Sequence, residues 1–108
     1  MRDPFRLDDK VVAVIGAGGG IGEAVARGAG RQGARVYCLD MVPQTVSHTA
    51  ERIKEAGGQA EAGTVDVTDA DTLDATLKYV AGNAGRLDAV VCTTGVKVRK
   101  QLLDYTDQ

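Results

Sequence analysis

Residues 11–26 read Val11-Val12-Ala13-Val14-Ile15-Gly16-Ala17-Gly18-Gly19-Gly20-Ile21-Gly22-Glu23-Ala24-Val25-Ala26. Five apolar residues, four of them β-branched, run without a polar break, as in a strand buried on both faces. Five glycines then fall within seven positions. After them Ile21, Val25 and Ala29 recur every four residues, which puts them on one face of a helix over 21–32. Gly33 stands where the chain must turn out of that helix in a left-handed conformation. The unit is therefore strand, glycine loop, helix.

The same alternation continues outward. Arg35 to Leu39 is a second apolar run. Pro43 suits the first turn of a second helix, with Val46, Ala50 and Ile53 on its buried face and Gly57-Gly58 as its stop. Ala60 to Val67 is a third strand candidate. Thr68 and Asp71 have capping-box spacing ahead of a third helix carrying Leu73, Leu77 and Val80. Asn83 to Arg86 reads as a turn, and Leu87 to Cys92 as a fourth strand. From Thr93 the chain reads as a loop, with the start of a helix near Leu102. Regular β-α alternation implies parallel strands joined by right-handed helical crossovers. The pattern is an α/β, doubly wound sheet, and alternation alone leaves the strand orders 3-2-1-4 and 2-1-3-4 both open.

Composition sets bounds. The chain has 108 residues, about one small domain. A net charge of -2 and the lack of a long basic run argue against a nucleic-acid footprint. No apolar stretch approaches the roughly 18 residues a membrane span needs, and the first ten residues lack the apolar core of a secretory signal. Cys38 and Cys92 lie far apart with no metal-ligand spacing, so a reduced, cytoplasmic setting is expected. Glycine is the surplus residue, 14 in all.

The placement of those glycines carries the chemistry. A glycine loop between a strand and a helix lets backbone N–H groups approach a pyrophosphate at the positive end of the helix dipole. The spacing G-x-G-x-x-G fails because Ile21 stands where its last glycine belongs. The pattern G-x-x-x-G-x-G fits at Gly16, Gly20 and Gly22, with Gly18 and Gly19 between. Glu23 after Gly22 excludes a Gly-Lys-Ser/Thr phosphate loop. Asp40 closes the second strand, twenty residues beyond Gly20. A carboxylate there accepts from both adenosine ribose hydroxyls and repels a 2′-phosphate. With no Lys or Arg in the glycine loop, and Met41 following Asp40, NAD is expected over NADP.

These motifs resemble the short-chain dehydrogenase/reductase family. Gly16-x-x-x-Gly20-Ile21-Gly22 is similar to its cofactor loop, and Asp40 to its NAD-selecting acid. Asp66-Val67 resembles the segment after its third strand, which implies that Asp66 accepts from the adenine amino group and Val67 packs on the ring. Val90-Val91-Cys92-Thr93-Thr94-Gly95 resembles the fourth-strand segment usually ending Asn-Ala-Gly, and adds Thr93, Thr94 and Gly95 to the implied site. The resemblance implies a Rossmann-like sheet in order 3-2-1-4 with three crossover helices, truncated relative to the full family fold. Residues 1–108 would be a single NAD-binding half-domain, and the intact protein a homo-oligomer acting on an alcohol or ketone.

Two departures concern the loop. Ile15 replaces a threonine whose hydroxyl can tie the loop to neighbouring backbone, and Thr93-Thr94 replace Asn-Ala. A third concerns chemistry. The family uses a Ser and a Tyr-x-x-x-Lys pair, but none of Tyr37, Tyr79 and Tyr105 has lysine four residues on, and Ser47 lies in the second helix. No catalytic residue can be assigned, so no turnover is expected from this chain alone. The alternative is a stand-alone or engineered minimal nucleotide-binding module that self-associates through the apolar edge of its fourth strand. His48 is expected on the surface. Lys97, Arg99 and Lys100 form a basic cluster expected to be a solvated loop.

Overall fold

The computed structural model describes residues 6–93. Thr94, Gly95, the basic cluster at 97–100, the helix start near Leu102 and Tyr105 lie outside them. The order is β1 (Val11–Ile15), α1 (Gly20–Arg31), β2 (Arg35–Asp40), α2 (Pro43–Glu55), β3 (Gln59–Thr64), α3 (Ala70–Ala84) and β4 (Ala89–Cys92). All strand pairs are parallel and the sheet order is β3-β2-β1-β4. This is the Rossmann-like order, and the 2-1-3-4 alternative is excluded.

β1 is buried along its whole length because helices cover both faces of the sheet. Val11, Ala13 and Ile15 pack with Tyr37, Leu39, Leu73, Leu77 and Val80 on the α3 side. Val12 and Val14 pack with Val36, Cys38, Ala26, Val46, Ala50 and Ile53 on the side of α1 and α2. Cys38 and Cys92 belong to opposite sides and form no disulfide with each other. Burial pushes the Cys38 thiol up to about 11, so it serves as a small apolar side chain.

Several local expectations are corrected. On α1, Ile21 is 75% exposed, and the fully buried residues are Gly22, Ala26 and Gly30. The helix docks most deeply through this stripe of small residues, with Val25 and Ala29 partly buried beside it. A Cβ at Gly30 would stand 2.7 Å from Ile53 Cγ2, so the glycine sets how closely α1 and α2 pack. β3 ends at Thr64, not Val67, because its partner β2 ends at Asp40, opposite Thr64, and no ladder remains beyond. The α3 cap is Asp69, not Thr68: its side chain accepts from the N–H groups of Asp71 and Thr72. Thr68 instead bonds to Asp66. The helix also runs through Asn83, expected in a turn, whose Nδ2 donates to the Tyr37 hydroxyl at 2.7 Å. Gly85, at φ 82°, ends it. β4 begins at Ala89, since Asp88 spends its N–H and a carboxylate oxygen on the Val11 peptide rather than continuing the ladder.

β1 and β4 are neighbours although two strands separate them in sequence. The connection leaving β1 runs through α1 to β2 on one side, while the chain returns through α3 to place β4 on the other side of β1. In open α/β sheets that switch point opens a crevice where ligands bind.

Candidate functional site

The glycine loop lies at this switch point. Gly16 takes φ +90°, a region open to glycine. The N–H groups of Gly16 and Ala17 both donate to Leu39 O, at 2.7 and 3.2 Å. Gly18 N–H donates to Asp40 Oδ2 at 3.1 Å, and Met41 N–H donates to Asp40 Oδ1 at 2.8 Å. The carboxylate expected to meet a ribose thus also fastens the loop to the end of β2.

Two hydroxyls hold the loop's carbonyls. Thr93 Oγ1 donates to Ile15 O and Gly16 O, at 3.1 and 3.2 Å. Thr49, fully buried on α2, donates to Ala17 O at 2.9 Å and shares its proton with Thr45 O at 3.1 Å. Ile15 carries no hydroxyl, and these two threonines supply the tie it cannot. The sequence points to Thr93 through the family resemblance but not to Thr49: in one dimension it is a polar residue between Val46 and Ala50 on a helix face, and only the packing of α2 against the loop gives it a partner.

Past Gly18 the loop opens. Gly19 is the N-cap of α1, and no side chain caps that end. The first intrahelical bond there is Glu23 N–H to Gly19 O, at 3.4 Å. The N–H groups of Gly20, Ile21 and Gly22 precede it and have no acceptor within the helix. Gly19, Gly20 and Ile21 are exposed while Gly22 is buried. Gly22 cannot carry a Cβ, which would overlap Gly16 O and stand 2.8 Å from Thr93 Oγ1. That close approach brings the helix end up against the loop. The only first-turn acid, Glu23, is drawn aside by Arg27 and Arg52, at 3.6 and 3.7 Å. The helix end is therefore a cluster of unspent donors with the adjacent negative charge compensated, an arrangement suited to a phosphate.

Asp40 and Asp66 both lie past the C-terminal part of the sheet, one at the end of β2 and one just beyond β3. Asp66 is exposed, and Oδ1 accepts from the Thr68 hydroxyl at 2.6 Å and the Thr68 N–H at 2.9 Å. The Thr68 hydroxyl chiefly, with its N–H, holds this carboxyl below the usual range. Val67 is half-buried against the α3-side core. Met41 is 55% exposed beside Asp40.

The remaining polar candidates take no part. His48 is exposed and accepts from Arg52 Nε at 2.7 Å. Tyr37 is buried in the middle of β2, and Tyr79 lies exposed on α3. Among the described residues, no helix is long and apolar enough to cross a membrane.

The family model for short chain dehydrogenases matches residues 10–108. Meso-2,3-butanediol dehydrogenase of Serratia marcescens is 35% identical over 100 residues, covering 93% of this chain and 39% of that enzyme. A hydroxysteroid dehydrogenase from Escherichia coli superposes with TM-score 0.78 at 33% identity, over 82% of this chain and 37% of that one. A metagenomic short-chain oxidoreductase in complex with NADP superposes with TM-score 0.75 at 34% identity, over 78% and 38%. The chain spans about two-fifths of the length of the curated relatives it matches.

Proposed function

Because the chain belongs to the short-chain dehydrogenase family, whose members bind a nicotinamide dinucleotide, we propose that it is the NAD-binding portion of an oxidoreductase. One observation carries the choice of NAD. Asp40 projects at the end of β2 beside an uncapped helix N-terminus, with Gly18 N–H on one oxygen and Met41 N–H on the other. Each carboxylate oxygen has further lone pairs, and these suit the two hydroxyl donors of an adenosine ribose.

The roles follow from position. Gly16 and Gly18 shape the loop, while the N–H groups of Gly19, Gly20, Ile21 and Gly22 take the pyrophosphate. Asp40 takes the ribose, with Met41 beside it. Asp66 accepts from the adenine amino group and Val67 packs on the ring. Thr93 and, by resemblance, Thr94 and Gly95 belong to the same cofactor site. When bound, the nicotinamide exchanges a hydride with an alcohol or ketone carbon in the whole protein. This chain's residues bind and orient the adenosine half, and its 108 residues hold no Tyr-x-x-x-Lys pair. The reduced thiols on opposite sides of the sheet suit a cytoplasmic setting.

Calorimetric titration with NAD and NADP, for the wild type and for Asp40→Ala, tests the reading. NAD should bind more tightly than NADP, and Asp40→Ala should lose most of that margin by weakening NAD. Equal affinities that the substitution leaves unchanged would sink the assignment.

A further inference from the structure

The corner where the glycine loop meets the end of β2 contains a third participant, the first turn of α2. Thr45 is exposed there, and its Oγ1 donates to Val42 O at 3.0 Å. That bond uses the only proton of the hydroxyl, which leaves the oxygen as an acceptor. It also lies against Gly18. A Cβ built on Gly18 would overlap Thr45 Oγ1, stand 2.8 Å from Asp40 Oδ2, and stand 3.0 Å from Thr45 Cβ. The hydroxyl of Thr45 and the carboxylate of Asp40 therefore flank one point from two different elements.

The charge at this point is one-sided. Residues 16–22 and 40–47 contain no Lys or Arg. The loop's own donor there, Gly18 N–H, is already given to Asp40. What the two side chains offer is a pair of acceptors, one anionic and one neutral, close enough to engage adjacent hydroxyls. A vicinal diol matches that pair. A phosphate ester on the same ring would replace a donor with a dianion and bring oxygen against oxygen at both contacts.

We propose that Thr45 is a specificity-determining residue of the nucleotide site, its Oγ1 sharing with Asp40 the single proton of the ribose 2′-hydroxyl and closing the corner to a 2′-phosphate. The proposal rests on the dinucleotide reading above. It gives α2 a direct part in ligand choice.

The test uses the full chain and two probes, ADP and 2′-deoxy-ADP, titrated by calorimetry against wild type, Thr45→Val and Thr45→Ser. Valine keeps the shape of threonine and removes the acceptor. Thr45→Val should weaken ADP roughly three- to tenfold, the worth of one neutral hydrogen bond, and leave 2′-deoxy-ADP unchanged. Thr45→Ser should behave as wild type. A loss shared equally by both probes would mean that Thr45 only shapes the turn, and no loss for either would remove it from the site. Both results overturn the proposal while ADP binding by the wild type leaves the dinucleotide reading standing. Failure of the wild type to bind either probe would overturn both together.

Discussion

Gly22→Ala tests the close approach of α1 to the glycine loop. The new methyl would overlap Gly16 O and stand 2.6 Å from the Gly16 carbonyl carbon. Neither atom is free to retreat. Gly16 N–H is held on Leu39 O at 2.7 Å, and Gly16 O accepts from Thr93 Oγ1 at 3.2 Å. Overpacking costs about 1–3 kcal/mol, and obstruction by fixed main chain belongs at the upper end. Alanine returns about 1 kcal/mol over glycine inside a helix. The net expectation is a loss of about 2 kcal/mol, a fall in melting temperature on the order of 10 °C for a domain of this size. Gly19→Ala is the matched control: its φ of -175° is extended backbone, and nothing lies within 4 Å of its new methyl. It should cost no more than about 1 kcal/mol, the preference for glycine over alanine at an N-cap. Urea denaturation with a common m-value reads both. If Gly22→Ala matched wild type, or Gly19→Ala were equally damaging, the close approach would be refuted.

Two further outcomes follow from the contacts around the site. Thr49→Val leaves the fully buried Ala17 carbonyl without its 2.9 Å partner and should cost about 1–3 kcal/mol, whereas Thr49→Ser should restore the urea midpoint; a valine variant as stable as wild type would remove the clamp. Acid should destabilise the fold through four carboxyls held below their ordinary range. Glu61 is held down chiefly by the Arg35 guanidinium, Asp66 by the Thr68 hydroxyl and Asp69 by the Thr72 N–H; at Asp88 burial pushes up, but bonds from Arg86 and Val11 N–H outweigh it. Depressed folded values mean stability that is complete above the unfolded values near 4 and is lost as pH falls through the folded ones. The melting temperature should hold from pH 7 to 5 and drop below about 4, and a melting temperature unchanged at pH 3 would contradict those pairings.

The order of elements was legible because each strand is a short apolar run and each helix repeats its apolar residues at helical spacing. Errors came where a competing partner ended an element. β3 stops where β2 stops, a limit set by a strand 24 residues earlier in the chain (Asp40 opposite Thr64). The cap of α3 passed from Thr68 to Asp69 because Asp66 engages the Thr68 hydroxyl first. Asn83 remained helical because it has a distant partner in Tyr37. The face of α1 was misread for another reason. Val25 and Ala29 do pack on the core edge, but Ile21 stands exposed, and the deepest contact is made by Gly22, Ala26 and Gly30, where closeness of approach outweighs side-chain area. A pattern scored on hydrophobicity cannot see a face made of missing side chains.

The candidate site divides along the same line. Gly16, Gly20, Gly22 and Asp40 could be read from the sequence because their spacing along the chain reflects one local unit, a strand, a turn, a helix and the next strand. Thr49 and Thr45 could not, since their partners Ala17 and Gly18 lie 32 and 27 positions away and meet them only when α2 folds beside α1. The absence of a hydroxyl at Ile15 looked like a loss from the loop. In three dimensions the loop keeps that kind of bond and receives it from the other side: Thr93 ties Gly16 O and Thr49 ties Ala17 O. With the carbonyls held and the N–H groups of Gly16, Ala17 and Gly18 spent inward, the donors left facing outward are those at the start of α1. The loop's internal bonds thus decide which of its atoms face the crevice, and a sequence motif names the loop without naming what holds it.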